Sequence, residues 1–135
     1  MIDHTGVSVS DLTRSVAFYR AALAPIGYEL LFELPAEVTG SSAVAGFGVA
    51  PKPDFWLNGG TPNHPPIHVA FRAATRAQVD ACYAAALRAG GRDNGAPGVR
   101  PHYHPDYYGA FVLDFDSHNI EVVCHEPIPA SPRRP

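Results

Sequence analysis

The sequence predicts an α+β fold made of two tandem βαβββ modules, and three observations carry that expectation. Segments with the period-two alternation of half-buried strands flank two segments with helical spacing. The order strand, helix, strand, strand, strand occurs twice. A shift of 64 residues lays Asp11–Leu23 on Thr75–Leu87 without a gap, matches Ala17 with Ala81, Tyr19 with Tyr83 and Leu23 with Leu87, and places His4 on His68. Alanine matches are cheap in a helix, but a histidine at the same strand position before both helices is harder to dismiss as chance and points to internal repetition.

Taken in order, residues 2–9 alternate, with Val7 and Val9 on one face and His4, Gly6 and Ser8 on the other, which predicts a first strand. Leu12, Val16, Tyr19, Leu23 and Ile26 then form one apolar helical stripe, with Ser10 or Asp11 as the cap and an end near Leu23 or Ala24 before Pro25 and Gly27. Strands are expected at Tyr28–Leu34, Ser42–Val49 and Asp54–Leu57, the last ending in the turn Asn58-Gly59-Gly60. Residues 61–65 are a proline-bearing connector.

The segment Pro66–Arg72 opens the second module, with Ile67, Val69 and Phe71 on one side and His68, Ala70 and Arg72 on the other. Thr75 and Gln78 form a capping box for a helix to about Ala89, stopped by Gly90-Gly91. Residues 93–105 read as mostly loop, with a short strand near Val99. Tyr107–Phe115 and Asn119–His125 read as a hairpin about Asp116-Ser117-His118. One domain is expected over 1–126, with modules at 1–60 and 65–126, followed by a proline-rich surface tail at 127–135.

The net charge of −3 and a single lysine give no electrostatic reason to expect nucleic acid or an anionic membrane as partner. A small-molecule ligand is the partner that composition leaves. Cys82 and Cys124 fit neither a disulfide framework nor a zinc motif and read as buried apolar residues. Without a leader or a long apolar run, the expected location is a reducing cytoplasm.

In the last strand Ile120, Val122 and Cys124 form the apolar face, so Glu121 falls on the opposite one. A carboxylate in mid-strand on a partly covered face needs a cation, a hydrogen-bond donor or water. His4, His68 and Glu121 together make a set able to hold one divalent metal with positions left open. The competing reading is of ordinary hydrogen-bonded strand residues lining a wet cavity. His64 reads as a solvated loop residue, His118 as a turn residue, and His125 as a rim residue about 13 Å along the strand from Glu121. The stretch Arg100–Tyr108 is unusually rich in imidazole and phenol. Either it closes over a pocket, with His102, His104, Tyr107 and Tyr108 as general acid or base candidates, or it packs on itself or at a dimer interface. Trp56 reads as a pocket wall or as core.

The opening Asp3-His4-Thr5-Gly6-Val7-Ser8-Val9, the helix start Asp11-Leu12-Thr13-Arg14-Ser15-Val16-Ala17-Phe18-Tyr19 and the closing Asp114-Phe115-Asp116-Ser117-His118-Asn119-Ile120-Glu121 resemble the vicinal oxygen chelate superfamily. That superfamily contains glyoxalase I, extradiol dioxygenases, and the bleomycin and fosfomycin resistance proteins. The closing segment has Phe115 and Ser117 where the family has proline and glycine. The resemblance implies a U-shaped mixed sheet around a cavity, helices on its outer face, and metal ligands at His4, His68 and Glu121. It also implies that modules often pair across a homodimer. A fourth, acidic or glutamine ligand is usual late in the first module of glyoxalases. The 64-residue shift puts Leu57 opposite Glu121, and neither Leu57 nor Trp56 can ligate.

The function expected on this resemblance is a metal-dependent lyase or dioxygenase that chelates two neighbouring substrate oxygens. Glu121 would serve as a proton acceptor, and Trp56 and Arg100 would line the substrate pocket. Fe or Mn suits a dioxygenase and Zn or Ni a lyase. The alternative is a metal-free binding protein of the bleomycin-resistance type, holding its ligand between Trp56 and the tyrosine-rich loop.

Overall fold

The computed structural model describes residues 1–130, which form eight strands and three α-helices. In chain order they are β1 (Thr5–Val9), α1 (Leu12–Leu23), β2 (Glu29–Leu34), α2 (Ala36–Thr39), β3 (Val44–Gly48), β4 (Phe55–Gly59), β5 (His68–Arg72), α3 (Arg76–Arg88), β6 (Arg92–Val99), β7 (Tyr108–Leu113) and β8 (Asn119–Cys124). Each half forms its own four-stranded mixed sheet, ordered β1-β4-β3-β2 and β5-β8-β7-β6. In both, the first and last strands pair parallel and the other neighbours antiparallel, so the repeat extends to topology. The α+β class and the two βαβββ modules are as the sequence predicts.

Asp11 caps α1 by accepting a hydrogen bond from Arg14 N, and the helix gives way to a 3-10 turn at Ala24–Ile26 that ends on Gly27 at φ 84°. The predicted capping box at α3 is complete, with both the Thr75 and the Gln78 side chains engaged. The two long helices pack on each other and on one face of each sheet. Phe18, Tyr19 and Leu23 of α1 and Val79, Cys82 and Ala86 of α3 share a single apolar cluster with Val7, Val9, Phe55, Leu57, Phe71, Ile120 and Val122. Burial of each large apolar side chain in such a cluster contributes about 1.5–3 kcal/mol. Phe71 meets Phe55 edge-on at 5.0 Å, which ties β5 to the first module.

The turn between β7 and β8 is a second tie. Asp114 Oδ1 accepts from the backbone N of Asp116 and of His118, while Oδ2 accepts from the buried Tyr19 hydroxyl at 2.5 Å. Ser117, at the family's glycine position, has φ 64°, the left-handed backbone that favours glycine. His118 is fully buried. Its Nδ1 accepts from Ile67 N at 2.9 Å and its Nε2 donates to Ser8 O at 2.8 Å, so one imidazole joins the end of β1 to the entrance of β5.

Several boundaries differ from expectation. His4 precedes β1 instead of lying inside it. The short α2 was not anticipated, and β4 runs on through Asn58 and Gly59. Of the 93–105 stretch, expected to be mostly loop with a short strand near Val99, residues 93–99 belong to the eight-residue β6 (Arg92–Val99). As an edge strand with register shifts at Gly95 and Gly98, β6 can accommodate its glycines and its proline. Residues 127–130 of the tail have no regular structure, and 131–135 lie outside the described residues.

Candidate functional site

In the second sheet the face turned away from the helices carries His68 on β5, Glu121 on β8 and Phe111 on β7. The register pairs Ala70 with Glu121 and Glu121 with Phe111, which fixes this parity. Glu121 is only 2% exposed. Its Oε1 lies 3.1 Å from His68 Nε2, and its Oε2 accepts a short hydrogen bond from the Tyr107 hydroxyl. A buried carboxylate without partners would cost several kcal/mol, so this pair of contacts lets Glu121 stay buried in mid-strand. Burial first, and then the hydrogen bond to Glu121 and its charge, push the Tyr107 phenol above its ordinary range. Gly109 makes the arrangement fit. A Cβ there would stand 3.2 Å from the Tyr107 ring and 3.3 Å from Glu121 Oε2.

His4 lies in a different setting. It is exposed, its Nδ1 is 2.7 Å from Asp3 Oδ1, and Lys52 Nζ holds the other Asp3 oxygen at 3.1 Å. The Asp3 carboxyl is held below its usual range, first by the hydrogen bond from His4 and then by Lys52. With Nδ1–H donating to Asp3, the neutral ring presents an unprotonated Nε2, the orientation that a carboxylate imposes on metal-ligating histidines. His4 borders a cavity of about 250 Å³ with Gly6, Trp56 and Asn58, on the open face of the first sheet. Among the described residues, no three His, Cys, Asp or Glu side chains stand close enough to hold one ion. The chain therefore brings His68 and Glu121 together and leaves His4 apart from them.

The strand register corrects the comparison of the two modules. Gly6 pairs with Trp56, whereas Ala70, one repeat later, pairs with Glu121. Trp56, not Leu57, is the counterpart of Glu121, because the second module has one more residue between its first and last strands. Leu57 is fully buried in the core. The Trp56 indole stacks on Phe32 at 6.4 Å and 25° and lies across Gly46, where an added Cβ would come within 2.8 Å of the ring.

The remaining candidates divide by face. His104 Nε2 meets His125 Nδ1 at 2.8 Å, and Tyr107 stands edge-on to both rings. His102 packs against Tyr103 at 4.2 Å with the rings tilted by 44°, and Tyr103 packs against Tyr107 at 4.8 Å and 50°. Arg100 donates to Gly98 O and Ala96 O, and its guanidinium stands 5.5 Å from the centre of the Phe111 ring on the Glu121 face. Tyr108 is on the helix side of the sheet. Its hydroxyl donates to Asp80 and Arg76 lies over its ring at 5.0 Å, so it does not reach Glu121. His64 is exposed in the connector. Sequence reasoning missed Asp3, Gly109 and the bridging role of His118, and only the adjacency of Asp3 to His4 was visible as a signal.

Among the described residues, no helix is long and apolar enough to cross a membrane. Comparison with known proteins finds no matching curated relative. Among solved structures, the chain resembles a glyoxalase/bleomycin resistance protein from Albidiferax ferrireducens T118, at 25% identity and a TM-score of 0.74, covering 93% of this chain and 98% of that one. A variant of the fosfomycin resistance protein FosX from Listeria monocytogenes, complexed with Mn(II) and 1S,2S-dihydroxypropylphosphonic acid, shares the fold at 17% identity and a TM-score of 0.67, covering 95% and 91%. A glyoxalase I variant from Zea mays shares it at 23% identity and a TM-score of 0.66, covering 90% of this chain and 46% of the maize chain. The family model of the glyoxalase/bleomycin resistance protein/dioxygenase superfamily matches residues 1–122. The chain belongs to that superfamily.

Proposed function

We propose that the protein is a metal-dependent enzyme acting on a small molecule with two neighbouring oxygens, with His68, Glu121 and His4 as the donors to one divalent ion. The observation that carries this reading is the buried Glu121 carboxylate facing His68 Nε2 across 3.1 Å. One imidazole nitrogen and one carboxylate oxygen converging on a point suit Zn, Ni, Mn or Fe. His4, aligned by Asp3, has the orientation of a third donor but not the position within one chain. β1 and β5 both lie at sheet edges, and a cleft of about 370 Å³ runs along β5, walled on its other side by Ile2, Asp3, Thr5 and Phe55 of the first module. Pairing of such edges between two copies would complete the sheets and supply His4 from the partner, so the active species is a homodimer.

A bound divalent ion would polarise the substrate oxygens and stabilise negative charge developing on them. The chain's own groups have separate tasks. Glu121, released from Tyr107, can take a proton from the substrate. Tyr107, with its phenol held above the ordinary range, stays protonated near neutral pH and acts as a donor to an oxyanion. Trp56 with Phe32, and Arg100 with Phe111, form aromatic walls on the two open faces.

Two observations favour a metal-free binding protein instead: both Glu121 oxygens already have protein partners, and Trp56 fills the position equivalent to Glu121. Elemental analysis of protein purified without chelator or affinity metal separates the two. The enzyme reading expects stoichiometric metal that is lost in His68→Ala and in His4→Ala, and a dimer by mass. Absence of metal in the wild type, with no uptake of Fe, Mn, Zn or Ni, would sink it and leave tight ligand binding without turnover.

A further inference from the structure

The loop at 100–107 joins β6 to β7 and is closed at its base by Arg100 N donating to Tyr107 O at 2.7 Å. Inside it, Tyr103 N donates to Arg100 O, Tyr107 N to His104 O, and Asp106 N to His104 Nδ1 at 3.1 Å. The last bond decides a tautomer. With Nδ1 accepting from a backbone N–H, the neutral His104 ring carries its proton on Nε2 and donates it to His125 Nδ1 at 2.8 Å. His125 follows directly on the end of β8, so this is the side-chain hydrogen bond that ties the tip of the loop to the strand that bears Glu121. The Tyr107 ring stands edge-on to both imidazoles, at 5.4 Å from His104 and 5.3 Å from His125, and its hydroxyl covers Glu121 Oε2. With Tyr107 in place Glu121 is only 2% exposed.

We propose that the His104–His125 hydrogen bond is a latch that holds the 100–107 loop with the Tyr107 hydroxyl on Glu121, and that an incoming metal ion reaches Glu121 only when the latch opens. His104 and His125 are on this account positioning residues, acting through Tyr107. The gating half rests on the reading of Glu121 as a metal donor; the latch itself does not.

The test uses metal-free full-length protein and three variants. His125→Leu removes the acceptor, His125→Gln restores one that His104 Nε2–H can reach, and Tyr107→Phe removes the cover but keeps the ring. Amide hydrogen exchange at Tyr103, Asp106 and Tyr107 should rise by up to about tenfold in His125→Leu, the upper end of what one net hydrogen bond supplies, and stay near wild type in His125→Gln. Exchange at Ala110 and Val122 in the sheet should not change, which separates unlatching from unfolding. Zn(II) uptake should be faster than wild type in His125→Leu and in Tyr107→Phe. Unchanged loop exchange in His125→Leu would overturn the latch whatever Zn(II) does. A loosened loop with Zn(II) uptake at the wild-type rate would overturn the gating. A loosened loop in protein that binds no Zn(II), Mn(II), Ni(II) or Fe(II) in any form would uphold the latch and overturn the metal-dependent reading.

Discussion

The Tyr107 hydroxyl donates to Glu121 Oε2, joining the base of the 100–107 loop to the middle of β8 and completing the hydrogen bonding of a carboxylate that is only 2% exposed. Because each partner answers a need of the other, the pair can be probed from either side.

Tyr107→Phe keeps the ring against His104 and His125 and deletes only the donor. Glu121 Oε2 is then a buried acceptor without a partner, which costs about 1–3 kcal/mol. Urea unfolding of metal-free protein should register a loss of that size. An unchanged midpoint would mean that water takes the place of the phenol.

Gly109→Ala places a methyl group 3.2 Å from the Tyr107 ring and 3.3 Å from Glu121 Oε2. Both must shift by a few tenths of an ångström, and overpacking of this kind costs about 1–3 kcal/mol. The expected outcome is a destabilised protein whose Tyr107 side-chain resonances move while those of Tyr19, in the first module, do not.

His118→Leu removes the imidazole that bonds Ser8 O and Ile67 N across the two halves. Two part-buried backbone groups lose the partner that the fully buried imidazole supplies, so a loss of about 2–5 kcal/mol follows. Chemical denaturation measures it. A loss below about 1 kcal/mol would show that the two halves are held together without this bridge.

Trp56 is the only tryptophan, so intrinsic fluorescence reports the open face of the first sheet. A small aromatic ligand entering the cavity shared with His4, Gly6 and Asn58 should quench it, and Trp56→Leu should weaken binding by about 0.5–1.5 kcal/mol beyond the lost area. Binding with no change in emission would place the ligand elsewhere.

Alkaline pH tests the phenols. Tyr19, Tyr28 and Tyr107 are pushed up by burial first and then by Asp114, Asp54 and Glu121 respectively, while hydrogen bonds to Asp93 and Asp80 lead for Tyr83 and Tyr108. Each folded phenol holds its proton beyond the unfolded value of about 10. Above that pH the native state binds more protons than the unfolded one, so these groups leave stability unchanged below about pH 10 and lower it above. Ultraviolet titration should show late phenolate formation coinciding with unfolding. Five phenols ionising at their ordinary value in folded protein would contradict this.

The two long helices, the Thr75–Gln78 capping box, and the parity that sets His68 and Glu121 on one face were all legible in the sequence. They depend on spacing within one element, where the helical and strand periods alone decide which way a side chain faces. The repeat was legible for the same reason, since a 64-residue shift carries one βαβββ pattern onto the other. Tertiary structure decided what depends on pairing between distant segments. The glycine- and proline-bearing 92–99 stretch becomes a strand because β7 offers it a partner. The register of β1 on β4 makes Trp56, not Leu57, the counterpart of Glu121. The 100–107 loop folds back so that Tyr107 reaches Glu121 and His104 reaches His125, while Tyr108, one residue on, turns to the other face. Local pattern gives each residue a side, but which side chains converge is set by register and loop closure, and those arise only when the whole chain is folded.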